Sequence, residues 1–291
     1  MHLVTFSDQE QTRLGARVVR DDHRYVIDLH AAQPDLPDEM IAFLSAGEPA
    51  LRLARQVVVA APDHALRPEE DVRLLAPVPR PGKIICLGHN YFDHMGIGRT
   101  EPPEFPTFFC KTVNTIIGNG EPIVLPQVSA QVDYEAELAV IIGKRARHVA
   151  IEQALDYVAG YSIFNDVSAR DYQKRTSQWM IGKSFDTFGP FGPALVTTDE
   201  IPNPHELELT LTLNDLERQH TNTRHMIFSI PMLIAYLSEV LTLEPGDVVS
   251  TGTPAKINGE PGVPLFMKPG DTVTVRIEKI GELINPVVAE D

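Results

Sequence analysis

The chain has 291 residues, longer than the commonest single-domain size and short for three domains, and a globule of this length buries about three-quarters of its unfolded surface. Its 40 acidic residues against 25 basic ones give a net charge of −15, which argues against nucleic acid or an anionic membrane as partner.

In chain order, the first thirty residues read as short strands at Leu3–Phe6, Arg17–Arg20 and Tyr25–Leu29, with turns at Gly15 and Asp21-Asp22. Pro37-Asp38 opens a predicted helix that runs through Leu44 and stops at Gly47, followed by a helical piece around Leu51–Val59. The Pro-rich stretch from Pro77 to Gly82 reads as a linker, dividing a small N-terminal domain (1–76) from a main domain (77–291). Gly118-Asn119-Gly120 is a hairpin turn signal, and Val158–Asn165 reads as a buried strand. Helices are predicted at Ile151–Val158 and Ser229–Val240, the latter with Ser229 as N-cap and Pro231 in its first turn. Strands at Val248–Thr251, Thr272–Glu278 and Leu283–Val288 close the chain. The pattern predicts an α+β fold, strand-rich in its larger part.

Chemistry concentrates at Asp133-Tyr134-Glu135-Ala136-Glu137, the mouth of an apolar run ending at Gly143. On a strand Glu135 and Glu137 face the same way, whereas a helix splays them about 200° apart. Two aligned carboxylates repel unless a proton or cation lies between them, and a hard divalent ion such as Mg²⁺, Mn²⁺ or Ca²⁺ neutralises them with oxygen ligands. The competing reading is the solvated face of an ordinary strand.

Asp166 stands at a predicted strand-to-helix junction, as an N-cap or as a chemical group at a strand end. Arg170 and Gln173, three apart, share a helical face suited to a substrate carboxylate and carbonyl. Gly182-Lys183-Ser184 has the tail of a phosphate-binding loop, but Ser177 occupies the position that needs glycine, so nucleotide binding is rejected. Lys183, set among Trp, Met, Ile and Phe, is either a partly buried cation beside acids or a snorkelling surface lysine. No Gly-x-Ser-x-Gly elbow exists, and His205, His220 and His225 form no zinc pattern and read as surface residues.

Six blocks in order carry a resemblance: Arg80–His94 with its Gly88-His89-Asn90-Tyr91, Pro106–Lys111, Asp133–Leu138, Asn165–Gln173, Gly182–Pro190 and Ser250–Pro254. Across roughly residues 78 to 288 the chain resembles the fumarylacetoacetate hydrolase family, in its shorter bacterial branch of acylpyruvate hydrolases, diene-dioate isomerases and decarboxylases. The resemblance implies a Mg²⁺ or Mn²⁺ site, with Ca²⁺ also admissible, held by Glu135, Glu137 and Asp166. It implies Lys183 beside the metal as a catalytic cation. Tyr91, Arg170, Gln173, Gly252 and Thr253 face a small anionic 2-oxo acid, and His94 is the lid histidine that activates water. A homodimer is implied as well.

The implied activity is hydrolysis of the C–C bond of a 2,4-dioxo acid through a metal-stabilised enolate, in aromatic or sugar-acid breakdown. The alternatives are isomerisation or decarboxylation of a 2-oxo acid, or a non-catalytic protein that binds metal and 2-oxo acid. One departure bears on that choice. Many short members carry a glutamate three residues after the lid histidine; here Ile97 stands there, and Glu101 or Glu104 is the substitute on offer. An imidazole without a carboxylate partner is a weaker general base.

Cys86 and Cys110 form no CxxC pair, no basic and apolar leader opens the chain, and no apolar run reaches membrane-spanning length. A cytoplasmic enzyme is the expectation.

Overall fold

The structure is a computed structural model that describes residues 1–8, 11–92, 101–257 and 266–290. Among these residues, twelve strands form one large sheet, five form a second, and two short strands pair by themselves. The α+β expectation holds, with strand well in excess of helix.

The centre of the large sheet is the strand Ala136–Ile142, every residue of which is buried. Leu138, Val140 and Ile142 point into one apolar cluster, while Ala139 and Ile141 point into another on the opposite face. A strand covered on both faces is uniformly apolar rather than alternating, which is why this segment reads as an unbroken run. Its neighbours are Val158–Asn165 on one side and Val248–Ser250 on the other, both antiparallel to it. Beyond Val248–Ser250 lies Ile84–Gly88, parallel to it, and then Thr107–Lys111.

The N-terminal residues belong to this same sheet. Strand His2–Asp8 pairs with Gly189–Thr197 through Leu3 and Leu195, and then with Gln11–Arg20. Helices Met40–Ala46 and Glu48–Ala60 pack Met40, Phe43, Leu44 and Ala54 into the cluster that also contains Ile84, Ile141 and Phe191. Ala76 and Val78, on either side of the expected boundary between 76 and 77, are buried in that one cluster. The two regions therefore share a sheet and a core.

Four local expectations change. Gly15 is not a turn: it sits inside Gln11–Arg20, opposite Val4 and Asp28. A Cβ there would lie 2.6 Å from Val26 Cγ1 and 2.8 Å from the Ile27 carbonyl, so close strand packing, not chain reversal, requires the glycine. Gly118–Gly120 does turn, with Gly120 at φ +83°, but it makes no hairpin. Ile116–Ile117 joins the large sheet and Ile123–Leu125 the second one. The segment Ile151–Tyr157 is a 3₁₀ helix. Helix Ile230–Val240 starts after Ser229 as expected, yet no Ser229 side-chain cap forms; half-buried His205 accepts the Ile230 N–H through Nε2 instead, at 3.1 Å.

Candidate metal centre and active-site cavity

Register brings the acids together. Ala136 pairs with Asn165 and Glu137 with Phe164, so Asp166, just past its strand, lies beside the residues that open the neighbouring one. The Asp166 N–H donates to the Glu135 carbonyl at 2.9 Å, and the Glu135 N–H donates to Asn165 Oδ1 at 3.0 Å. One oxygen each of Glu135, Glu137 and Asp166 lies within 4.8 Å of the others, and all three residues are buried.

Cations surround this cluster. Lys183, on the short helix Met180–Lys183 and 2% exposed, donates through Nζ to Glu135 Oε2 and Asp166 Oδ2, each at 2.6 Å. Lys111, also buried, donates to Asp166 Oδ1 at 2.7 Å and to the Val167 carbonyl at 3.1 Å. Arg170 contacts Glu135 Oε1 at 2.5 Å through Nη2 and donates to Asp133 Oδ2 at 2.8 Å through Nε. Its Nη1 donates to Gln173 Oε1 at 2.9 Å. Lys256 closes the ring on Asp133.

Glu137 differs from its neighbours in having no ion pair among the described residues. Its Oε2 accepts from Ser250 Oγ at 2.6 Å and from the Gly252 N–H at 2.8 Å. Burial, and then the charges of Asp166 and Glu135, push its carboxyl well above the ordinary 4.5. Burial lowers Lys111, whereas for Lys183 the two facing carboxylates outweigh burial and hold the ammonium charged. Three buried carboxylates, all hard oxygen donors and one held against its charge, make a donor set that fits a divalent ion of the Mg²⁺, Mn²⁺ or Ca²⁺ type.

The cluster opens into a cavity of about 570 Å³. Glu135, Glu137, Arg170, Gln173, Lys183 and Thr253 all line it, so most of the predicted residues meet at one place. Arg170 meets the prediction of a shared face with Gln173, but its guanidinium is spent on Asp133 and Glu135. The Gly252 N–H is likewise committed to Glu137. Tyr91 departs from expectation: it is fully buried in the main core, bridged to Met226, and does not line this cavity. His94 and Ile97 lie outside the described residues. A larger hollow of about 760 Å³, beside the turn at Lys279, shares no residue with the carboxylate cavity.

Several residues at the site were not singled out from sequence. Gln219, fully buried in Leu216–Asn222, accepts the Ala136 N–H and donates to Thr253 Oγ1 and the Pro254 carbonyl, tying the ligand strand to the substrate loop. Asn90 donates to the Thr251 and Phe228 carbonyls and accepts the Phe228 N–H, and its Cβ lies 2.8 Å from where a Gly252 Cβ would be. Trp179 packs edge-on to Phe109 and against Gly88, where a Cβ would come within 2.4 Å of its ring. His89, at φ +56°, holds its ring edge-to-face with Trp179 at the cavity wall. Asp133 carried a signal, standing two residues before Glu135 and four before Glu137 in strand parity. Asn90 and Lys111 lay within the matching blocks without a stated role, and nothing local marks Gln219.

Comparison with known proteins agrees with this geometry. Residues 83–288 match the family description "Fumarylacetoacetate (FAA) hydrolase C-terminal". The chain is 44% identical to the mitochondrial oxaloacetate tautomerase Fahd2a of Rattus norvegicus over 264 residues, covering 90% of this chain and 84% of that protein. Among solved structures, maleylpyruvate hydrolase from Sphingobium sp. SYK-6 in complex with manganese (II) ion and pyruvate superposes with a TM-score of 0.81 at 36% identity, covering all of both chains. The 2-hydroxyhepta-2,4-diene-1,7-dioate isomerase from Mycobacterium marinum gives 0.78 at 33%, covering 100% of this chain and 99% of that one. Among the described residues no helix is long and apolar enough to cross a membrane. The relatives named with a compartment are mitochondrial, so a cytoplasmic location draws no support from them.

Proposed function

The chain belongs to the fumarylacetoacetate hydrolase family, and from that premise we propose that it is a divalent-metal-dependent enzyme interconverting the enol and keto forms of a 2-oxo acid of the oxaloacetate type. Keto–enol isomerisation, the alternative to C–C hydrolysis, is the reaction of the curated relatives. The observation that carries it is the 44% identity to an oxaloacetate tautomerase over 90% of the chain, around an intact Glu135–Glu137–Asp166–Lys183 cluster. Glu135, Glu137 and Asp166 would hold Mg²⁺ or Mn²⁺, which would supply Lewis acidity to a bound 2-oxo acid.

The chain's own groups do the rest. An ammonium has three N–H donors. Lys183 uses two of them on Glu135 and Asp166, which leaves a third for the oxygen that gains charge as the C3 proton leaves. Held charged by those acids, it acts as an electrostatic stabiliser and not as a base. Gln173 and Thr253 orient the acid from the cavity wall. His94 is the proton acceptor in this reading. Tautomerisation asks its imidazole only to move a proton, which needs no activated water, so Ile97 in place of the lid glutamate is less of an obstacle than it is for hydrolysis.

Hydrolysis of an acylpyruvate is the second reading, favoured by the full-length likeness to the maleylpyruvate hydrolase. The test follows the decay of enol-oxaloacetate absorbance with Mg²⁺, with Mn²⁺ and with chelator, alongside pyruvate release from acetylpyruvate. Metal-dependent acceleration of the first reaction well above the second supports the tautomerase. Pyruvate release with no effect on the enol replaces it with the hydrolase.

A further inference from the structure

Arg170 and Lys174 are four residues apart, joined by the Lys174 N–H to Arg170 carbonyl bond of 3.2 Å at the end of the short helix Arg170–Gln173. Residues so spaced lie on one face, one turn apart. Arg170, Gln173 and Lys174 all line the carboxylate cavity. Arg170 reaches the buried acids from that face, while Lys174 is exposed.

The cavity's other cations are committed. Arg170 is bound to Asp133 and Glu135, Lys183 to Glu135 and Asp166, and Lys256 to Asp133. Lys174 enters no ion pair among the described residues. In a chain of net charge −15 it is an uncompensated positive group at the mouth of a site whose inner acids already have cation partners. A substrate whose 2-oxo-carboxylate end met the divalent ion that Glu135, Glu137 and Asp166 would hold would direct its far end away from that floor, toward the mouth.

Resting on the reading of the site as a 2-oxo-acid enzyme, we propose that Lys174 is the specificity-determining residue that receives the distal carboxylate of a dicarboxylic 2-oxo acid. It selects diacids over monoacids of equal chain length. The chemistry is an ammonium–carboxylate pair at a partly open rim, so its strength falls as salt rises.

The test compares two ligands with the same four-carbon chain, oxaloacetate and 2-oxobutanoate, on the Mg²⁺-loaded full-length protein. Dissociation constants are measured by competition at equilibrium, and turnover is recorded separately. Wild type should prefer the diacid, and Lys174→Gln should weaken diacid binding about five- to tenfold, shrinking the ratio of the two constants. Lys174→Glu should lower the ratio further, Lys174→Arg should keep it, and added salt should shrink it in wild type and Lys174→Arg but not in Lys174→Gln. Equal weakening of both ligands by Lys174→Gln, or a ratio that does not respond to Lys174→Glu, overturns the inference. If turnover of enol-oxaloacetate is absent while the binding pattern holds, the proposed reaction falls and the role of Lys174 stands.

Discussion

Lys111 and Lys183 grip opposite oxygens of one carboxylate, Asp166, at 2.7 and 2.6 Å, with all three side chains out of solvent. Among the described residues Lys111 pairs with no other acid, and it donates its remaining hydrogen bond to a backbone carbonyl, so it acts as an anchor. Lys183 also holds Glu135, which places it across the cluster. Two lysines near one another survive burial only because the carboxylates lie between them.

Glu137→Gln separates the ligand from the fold. The amide oxygen can still accept from Ser250 and Gly252, but the charge that an ion requires is gone. Wild type in Mg²⁺ or Mn²⁺ at about a hundredfold above Kd gains about 2.7 kcal/mol of stability, and the variant should gain almost none. A full metal-dependent rise of Tm in Glu137→Gln would remove Glu137 from the ligand set.

Lys183→Met removes a cation that competes for Glu135 and Asp166. Calorimetry should show metal binding at least as tight as in wild type, while turnover falls by about 10²–10³. The metal-free variant, with two buried carboxylates less well compensated, should lose about 3 kcal/mol, which the ion restores. Wild-type turnover in this variant would contradict the electrostatic role.

Stability and metal affinity should depend on pH in opposite senses. Burial, helped by Asp166 and Glu135, raises the folded Glu137 carboxyl above its unfolded value of 4.5. The folded chain therefore holds that proton more tightly than the unfolded one does. This stabilising contribution is complete below 4.5 and is lost as pH climbs through the raised folded value. Metal-free protein should weaken over that window, and saturating Mg²⁺, which displaces the proton, should flatten the loss. Metal affinity should rise with pH, with protons released on binding. Denaturant melts at several pH values with and without metal check the signs, and Glu137→Gln should abolish the metal-free slope.

Asn90→Ala strips three hydrogen bonds from the buried junction of Phe228 and Thr251. A cost of about 2–3 kcal/mol in urea unfolding is expected, together with reduced turnover as the Gly252-Thr253 loop loosens. Metal affinity should fall less than turnover, because Ser250 still donates to Glu137.

Trp179 is the single tryptophan of the chain and lines the cavity. Its emission should change when oxaloacetate is added to the Mg²⁺-loaded protein and stay still when the acid is added with chelator. A metal-independent response would place the acid away from the carboxylates.

The sequence by itself made the apolar strand Ala136–Ile142 legible with Glu137 in it, although Glu135, expected on the same strand, lies just before it. It determined Asp166 and Lys183 as members of one ordered set of blocks, and the helix beginning after Ser229. Local signals could not decide whether Gly15 ends a strand or lets two strands approach, since both uses call for a missing Cβ. Nor could they show that the first seventy-six residues share a sheet with the rest, because strand pairing between Leu3 and Leu195 is a contact across the whole chain. The supporting polar groups were hidden for the same reason. Gln219 and Asn90 act through carbonyls and amides far off in sequence, and Arg170 turns from open cavity to Asp133 only once those strands are side by side. Periodicity reports which face a residue takes; which partner meets that face is decided by tertiary packing, where a buried polar group must find its bonds.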